Sequence, residues 1–396
     1  MTNENHFNKK FRSSIFRRTK TPDITKFIHA SDIHLGAAQY RNKDRANDFF
    51  NAFKEILELT IEHYVDFIIF GGDVFTSLEM LPGLLTKIIN ILRDFQIFTK
   101  GNIPIISIEG NHDIRKFSRG IRFEKRSQSW LKLLNSLGLI ILLDVDFDLS
   151  PKEMFIPYNF EIRKGGKIQI KNIMIYGTQY LGENPISFLS KIRRELAKNN
   201  GTFNILLQHF GIEGQMDNVP GVNLKDIQPL RHHIDYLALG HFHKQFILEN
   251  WIFNPGSSEA TCSIDNSFKR GIFLVEISKK SEKFVKNVKI IHLKNRRYIW
   301  ETVYLTYEFT KRKDLEKFII NKLSLSLKSL SNEVLSSIPQ KPLLYLILRG
   351  KEPIKSCVIK EKDLRIKLCN LFPIVDVNIY QKFEKTLRTL DNYILA

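Results

Sequence analysis

The chain has 396 residues, 43% of them hydrophobic, and carries a net charge of +18. Such a length suits two or three domains with ample core, and no apolar stretch reaches the roughly 20 residues of a membrane span. The three cysteines, Cys262, Cys357 and Cys369, are scattered without CxxC spacing, which excludes a disulfide framework or a cysteine zinc site and fits reduced thiols.

Residues 1–22 hold six Lys or Arg against Glu4 alone and show no periodicity, so a basic disordered tail is expected there. The start lacks the apolar segment of a secretory signal, and a cytoplasmic, DNA-associated protein is expected. From Lys26 to about Ile277, apolar runs alternate with amphipathic patterns. Phe27–Ala30, Phe67–Phe70, Ile103–Ile108, Asn204–Leu207 and Tyr236–Leu239 read as buried strands bounded by Gly, Asn or Asp. Helices are predicted over Asn47–His63, Leu81–Phe95 and Gln128–Leu137, and Phe246–Ile277 reads as β-hairpins around Asn254-Pro255-Gly256. Strand–helix alternation of this kind predicts an α/β layered domain over 23–278.

Beyond Ser278 the texture changes to a lysine-rich run, with a strand predicted at Thr302–Phe309, a helix at Lys313–Leu327, a strand at Leu343–Leu348 and a last helix at Tyr380–Leu395. Residues 279–396 therefore read as a second, smaller α+β domain. It holds 25 basic residues against 12 acidic, whereas 23–278 balances at 29 of each. A neutral block flanked by cationic segments suits a polyanionic partner such as nucleic acid. A merely solvated basic surface would account for the charge equally well.

All five apolar runs end in a nitrogen or oxygen donor: Asp32 and His34, then Asp73, then Asn111 and His112, then His209, then His241 and His243. Any one of these reads more simply as a core histidine or a turn former. Five in succession lay out a metal site, and a mixed Asp, Asn and His shell points to manganese, iron or zinc. Asp32-x-His34 returns two side chains to one face of a strand end, and His241-x-His243 repeats the arrangement. Gly71-Gly72 allows the sharp turn that would carry the Asp73 carboxylate inward.

Ser31-Asp32-Ile33-His34-Leu35-Gly36, Gly71-Gly72-Asp73-Val74-Phe75, Gly110-Asn111-His112-Asp113, Gln208-His209-Phe210 and Gly240-His241-Phe242-His243 resemble the five motifs of calcineurin-like metallophosphoesterases. Within that superfamily the chain is most similar to SbcD-type DNA double-strand-break repair nucleases in their archaeal form. The likeness covers about residues 24–277, with Asn254-Pro255-Gly256-Ser257 in support. It implies an αββα-type core with a smaller α+β capping domain that orients duplex DNA. It also implies two Mn2+ ions, the first held by Asp32, His34 and His243, the second by Asn111, His209 and His241, with Asp73 bridging. His112 would protonate the leaving 3′ oxygen or steady the scissile phosphate, with Asp113 orienting it. Nucleases of this kind commonly have another histidine three residues after the bridging aspartate, where this chain has Thr76, which puts exonuclease efficiency in doubt.

Directly after Asp113 come Arg115, Lys116, Arg119, Arg122, Lys125 and Arg126, a basic loop suited either to gripping phosphates or to lying solvated on a helix face. The resemblance further implies a homodimer through Leu81–Phe95 and Ser129–Leu137, with Leu85, Ile88, Leu92, Leu131 and Leu134 as its stripe, although those residues suit core faces as well. It implies an SMC-like coiled-coil ATPase (SbcC-type) as partner in a heterotetramer; Phe383, Leu387, Leu390 and Ile394 would offer a docking stripe or a last core helix. The leading expectation is a manganese-dependent DNA nuclease, with 3′-5′ double-strand exonuclease and single-strand endonuclease action in break repair. A small-substrate phosphodiesterase or phosphatase, and a DNA-tethering scaffold for the ATPase, are the alternatives.

Overall fold

The computed structural model describes residues 24–114, 129–147, 154–182, 185–196, 201–281, 283–306, 309–337, 340–354 and 357–384. The tail at 1–22 and the basic loop with Arg115, Lys116, Arg119, Arg122, Lys125 and Arg126 lie outside them. The chain divides into two compact units, Met1–Asn295 and Arg296–Ala396. The division predicted at 278 falls inside a strand, for a reason given below.

In the first unit, β1 (Ile24–Ala30), β2 (Phe67–Phe70), β3 (Ile105–Ser107) and β4 (Ile141–Leu142) run parallel side by side. A second sheet is built from β5 (Lys167–Ile170), β6 (Ile173–Gly177), β7 (Phe203–His209), β8 (Tyr236–Gly240), β9 (Phe246–Leu248) and β10 (Ile252–Asn254), in the order β5-β6-β7-β8-β10-β9. Then β11 (Gly271–Lys280) returns antiparallel to β1, and β12 (Lys283–His292) closes that edge, giving β12-β11-β1-β2-β3-β4. Only β9 and β10 form the hairpin expected over 246–277; β11 leaves for the other sheet.

The strands read as unbroken apolar runs because both faces of each sheet are covered. Phe67 and Ile69 point between the sheets with Ile106, Ile205, Leu207, Tyr236, Ala238 and Phe253. Ile68 and Phe70 point outward under the helices α1 (Lys43–Glu62), α2 (Pro82–Thr99) and α3 (Trp130–Ser136). Outside the second sheet, Leu206, Leu237 and Leu239 meet Leu189 and Ile192 of α4 (Ile186–Glu195). The unit is thus an αββα sandwich. Its lysine run, Lys279 to Lys289, is no linker. Lysines 283, 286 and 289 belong to an edge strand whose Phe284 and Val288 pack inward, and charged residues on such an edge discourage pairing with other chains.

Helix α1 starts where the Asn42 side chain accepts from the backbone of Asp44 (2.8 Å) and Arg45 (3.4 Å), and it buries Phe49, Phe53, Ile56 and Ile61. Helix α2 opens on Pro82, stops at Lys100 with a left-handed φ of 54°, and buries Ile88, Ile91, Leu92 and Phe95. Of the stripe expected at a dimer seam, Ile88, Leu92, Leu131 and Leu134 therefore lie in the unit's own core. Leu81 and Ile97 are exposed instead.

Two buried charge arrangements carry testable consequences. Arg45 has no exposed surface, and its guanidinium donates to Asp48 Oδ2 (2.5 Å), Glu259 Oε1 (3.1 Å), Gln39 Oε1 (3.0 Å) and the Ala260 carbonyl (3.1 Å). Deleting one partner of such a network strands the others' charge away from water. Arg45→Met is expected to lower the unfolding free energy by about 3–5 kcal/mol, read from the urea midpoint at unchanged m-value.

His29 is fully buried on β1, with Nε2–H donating to the Leu239 carbonyl (3.1 Å) and Nδ1 accepting from the Tyr236 hydroxyl (3.0 Å). Burial lowers its pKa to about 3, only partly countered by the Leu239 hydrogen bond. Unfolded protein binds a proton at His29 below about 6.5 and folded protein does not, so stability is complete above that pH and falls toward pH 3. At pH 5 the loss from this group is about 2 kcal/mol. In denaturant titrations at pH 7.5 and pH 5, His29→Gln is expected to lose about that much less than the parent chain.

In the second unit, β13 (Tyr298–Leu305), β14 (Leu343–Lys351) and β15 (Asp376–Glu384) form a parallel three-stranded sheet. Its covered face packs Val303, Leu344, Leu346, Leu348 and Ile379 against Leu315, Ile319 and Leu323 of α5 (Arg312–Ser337) and Leu364 and Leu368 of α6 (Glu361–Leu371). The helix predicted from Tyr380 is corrected: Asp376–Glu384 is a strand, with Val377 and Ile379 buried at the two-residue period of a sheet. Leu387, Leu390 and Ile394 lie outside the described residues. No described helix is long and apolar enough to cross a membrane.

Candidate metal centre

The donors of the first unit sit at or just past the C-terminal ends of β1, β2, β3, β7 and β8, where loops turn over the sandwich. Reaching inward there strains the backbone. Asp32, His34 and Asp73 have φ of 49°, 51° and 49°, and His241 has 92°, in a region non-glycine residues seldom adopt. The loops are stitched together by Asp32 N–H to the Gly72 carbonyl (3.1 Å) and His34 N–H to the Asp73 carbonyl (3.0 Å). Gly72, at φ 90°, leaves no room for a side chain: a Cβ would come within 2.6 Å of His209 Nδ1.

Two donor groups converge. Single ligand atoms from Asp32, His34 and His243, and from Asp32, Asp73 and His209, all lie within 4.8 Å of one another. His34 Nε2 and His243 Nε2 are 3.0 Å apart. Asn111 Oδ1 is 3.0 Å from His209 Nε2 and 3.0 Å from His241 Nδ1, and Asp73 Oδ2 is 3.3 Å from His209 Nε2. Sequence-predicted Asp32, His34, Asp73, Asn111, His209, His241 and His243 are thus brought to one place.

Hydrogen bonding shows that these atoms suit cations. His209 Nδ1–H donates to the Gly71 carbonyl at 2.6 Å, and a carbonyl can only accept, so in the neutral ring Nε2 is a lone pair. That lone pair faces the Asp73 carboxylate and the Asn111 carbonyl oxygen, neither of which donates. His243 Nδ1–H donates to Asp265 Oδ2 at 2.8 Å, which likewise leaves Nε2 as a lone pair aimed at His34. Acceptors pointed at acceptors in a buried pocket require shared positive charge. A pair of divalent cations fits this oxygen and imidazole set, in which Asp32 belongs to both groups.

The ionisation pattern has the same origin. Burial lowers the His34 pKa to about 3 and that of His241 to about 4. Burial also pulls His209 down, but Asp73 beside it prevails and raises it to about 9, a proton standing where a cation would. Burial raises Asp32, opposed by His209 and His243. Asp73 is held below the ordinary carboxylate range, because His209 outweighs its burial.

His112 is exposed at the mouth of the pocket. Its backbone N–H donates to Asp73 Oδ1 (2.7 Å), its Nδ1–H donates to the Thr76 carbonyl (3.0 Å), and its ring meets that of His34 edge-on, with centroids 5.0 Å apart. Thr76 therefore contributes its main chain to orienting His112, which any residue at 76 would supply. Asp113 does not perform the orienting role expected of it. Its carboxylate is turned inward onto the backbone N–H groups of Phe75 (2.9 Å), Gly110 (3.0 Å) and Val74 (3.3 Å), tying the β2 and β3 loops together. Burial and the Asp73 charge raise its pKa well above the usual range.

Two residues at the site carry no signal in the sequence. Tyr180, in the loop after β6, sets its ring 5.9 Å from that of His209 and 6.2 Å from that of His241. Asp265 lies in a polar loop 22 positions past the histidine it holds, with no motif spacing to betray it.

Residues 25–245 match the family model of the calcineurin-like phosphoesterases. The chain is 27% identical over 375 residues to the DNA double-strand break repair protein Mre11 of Saccharolobus solfataricus, covering 93% of this chain and 85% of the relative. Against the protein of that name from Sulfolobus acidocaldarius it is 22% identical, covering 93% and 89%. The Archaeoglobus fulgidus protein of that name is 42% identical over 114 residues, covering 29% of this chain and 24% of the relative. The family match spans more than half of the chain and takes in the whole of the donor cluster, so this chain belongs to the calcineurin-like phosphoesterase family and is a metal-dependent phosphoesterase.

Proposed function

We propose that the chain is a manganese-dependent DNA nuclease of double-strand-break repair, acting as a 3′-5′ exonuclease on duplex ends and as an endonuclease on single strands. The observation that carries the chemistry is the convergence of lone-pair donors in two adjacent groups that have Asp32 in common, with His112 held at the mouth. The likeness to archaeal break-repair proteins across both units supports DNA as the substrate. The surplus of basic residues supports a polyanion too.

Asp32, His34 and His243 would hold one Mn2+ ion, Asn111, His209 and His241 the other, and Asp73 would touch both. The ions when bound would supply Lewis-acid stabilisation of charge on phosphorus oxygens and a more acidic water. The chain's own contribution is positional. The Thr76 carbonyl fixes the exposed His112 ring through Nδ1, and Nε2 would pass a proton to the departing 3′ oxygen. Asp113 locks the two loops that carry Asp73 and Asn111. The basic stretch Arg115–Arg126 and the cationic second unit would grip the backbone, as a homodimer joined to an SMC-like coiled-coil ATPase within the cell. Backbone gripping without base readout predicts that DNA affinity falls about tenfold or more between 50 and 200 mM salt, measured by fluorescence anisotropy.

Purified protein with manganese is expected to shorten a 5′-labelled duplex. Turnover of bis-p-nitrophenyl phosphate with DNA left intact would transfer the assignment to a small-substrate phosphodiesterase. DNA binding with neither turnover would leave a tethering scaffold.

A further inference from the structure

Around His243 the structure is more elaborate than ligation alone requires. One oxygen, Asp265 Oδ2, accepts from His243 Nδ1–H (2.8 Å), from the Thr261 hydroxyl (2.6 Å) and from the Thr261 backbone N–H (2.9 Å). The Thr261 hydroxyl is also 3.2 Å from His243 Nδ1. Asp265 is only 2% exposed, and its main chain is pinned by Arg270, which donates to the Asp265 carbonyl at 2.8 Å. The segment leading into this loop is fastened as firmly. Ser258 N–H donates to the Asp32 carbonyl (3.2 Å), and buried Arg45 holds Glu259 and the Ala260 carbonyl.

The other half of the pocket is built differently. His209 is oriented by a backbone carbonyl, that of Gly71, and Asn111 is neutral. A carboxylate behind an imidazole fixes ring and tautomer and makes the far nitrogen a stronger donor, and a carbonyl does so less. Asp32 lies in both donor groups, so the carboxylate that sets the Asp32/His34/His243 half apart is Asp265, behind His243.

We infer that Asp265, held by Thr261, is a positioning residue that aims His243 Nε2 at its cation and makes the Asp32/His34/His243 position the tighter of the two. The inference rests on the dimetal reading of the site and deepens it. It assigns to the 257–265 segment a role in metal retention, apart from any contact with substrate.

The test is manganese binding to chelator-stripped protein, followed by the electron paramagnetic resonance signal of free Mn2+. Wild-type protein is expected to bind two ions of unequal affinity. Asp265→Asn is expected to weaken the tighter one by about 10–100-fold and to leave the weaker within about twofold. Thr261→Val is expected to give a smaller change in the same direction, and Asp265→Glu to recover part of the loss. Thermal melting of the metal-free variants checks folding; should Asp265→Asn not fold, Thr261→Val decides the matter alone. Unchanged affinities in folded Asp265→Asn, or equal weakening of both sites, would overturn the positioning role while a site lost in His243→Ala would uphold the dimetal reading. Two unaltered sites in His243→Ala would instead overturn that reading itself.

Discussion

His112→Asn is expected to slow manganese-dependent cleavage of duplex DNA by about 10²–10⁴-fold while both metal positions still fill. The ring is exposed, lies beside the donors and is tethered at Nδ1 by a carbonyl, so its loss removes a proton carrier and leaves every predicted ligand in place. Asparagine keeps the backbone N–H that donates to Asp73. The fall should therefore appear in kcat rather than in KM or in manganese stoichiometry, which single-turnover kinetics and metal analysis would separate. A substrate whose 3′ leaving group needs no protonation, such as one ending in p-nitrophenolate, should recover most of the rate. Loss of bound metal in the variant would instead make His112 a ligand.

Asp73→Asn is expected to weaken metal binding and to lower the stability of the metal-free protein. Because Asp73 is the carboxylate proposed to touch both ions, neutralising it should weaken both positions by roughly 100-fold or more, since even residues behind a ligand cost 10–100-fold. Cleavage should fall to background. The metal-free protein is expected to unfold earlier than the parent chain as well, because the ionised Asp73 and the protonated His209 form a buried pair that keeps the first below and the second above its ordinary pKa. Calorimetry with and without manganese would show the parent chain stabilised by the metal and the variant indifferent to it. A variant that melts no earlier than the metal-free parent would mean that the pairing of Asp73 with His209 does not stabilise the metal-free fold.

Sequence and structure agree most closely where burial is two-sided. Runs such as Phe67–Phe70 can only be strands covered on both faces, and each such run ends at a donor because the loops above a packed sheet are where polar groups reach solvent. Patterns of one-sided burial were harder to place. On the edge strand β12, Lys283 and Lys289 alternate with Phe284 and Val288 while Lys286 shares their face over Phe253, and local charge alone makes the run look like the start of a domain. The same weakness applied to Asp376–Glu384, where two buried residues carry the strand and a few apolar positions farther on suggested a helix. Asp265 and the carbonyls of Gly71 and Thr76 were invisible for another reason. They act through oxygen atoms whose placement depends on contacts 22, 138 and 36 positions away, and no spacing rule encodes them. Asp113 shows the converse, since its adjacency to His112 suggested a partnership that the inward turn of its carboxylate replaces with three backbone hydrogen bonds.

Crystals grown with manganese and measured on both sides of its absorption edge bear most directly on the dimetal centre. Two anomalous peaks are expected per chain, one among Asp32, His34 and His243, the other among Asn111, His209 and His241, with an Asp73 oxygen adjoining each. Peaks elsewhere, or none at these side chains with manganese in excess, would contradict it.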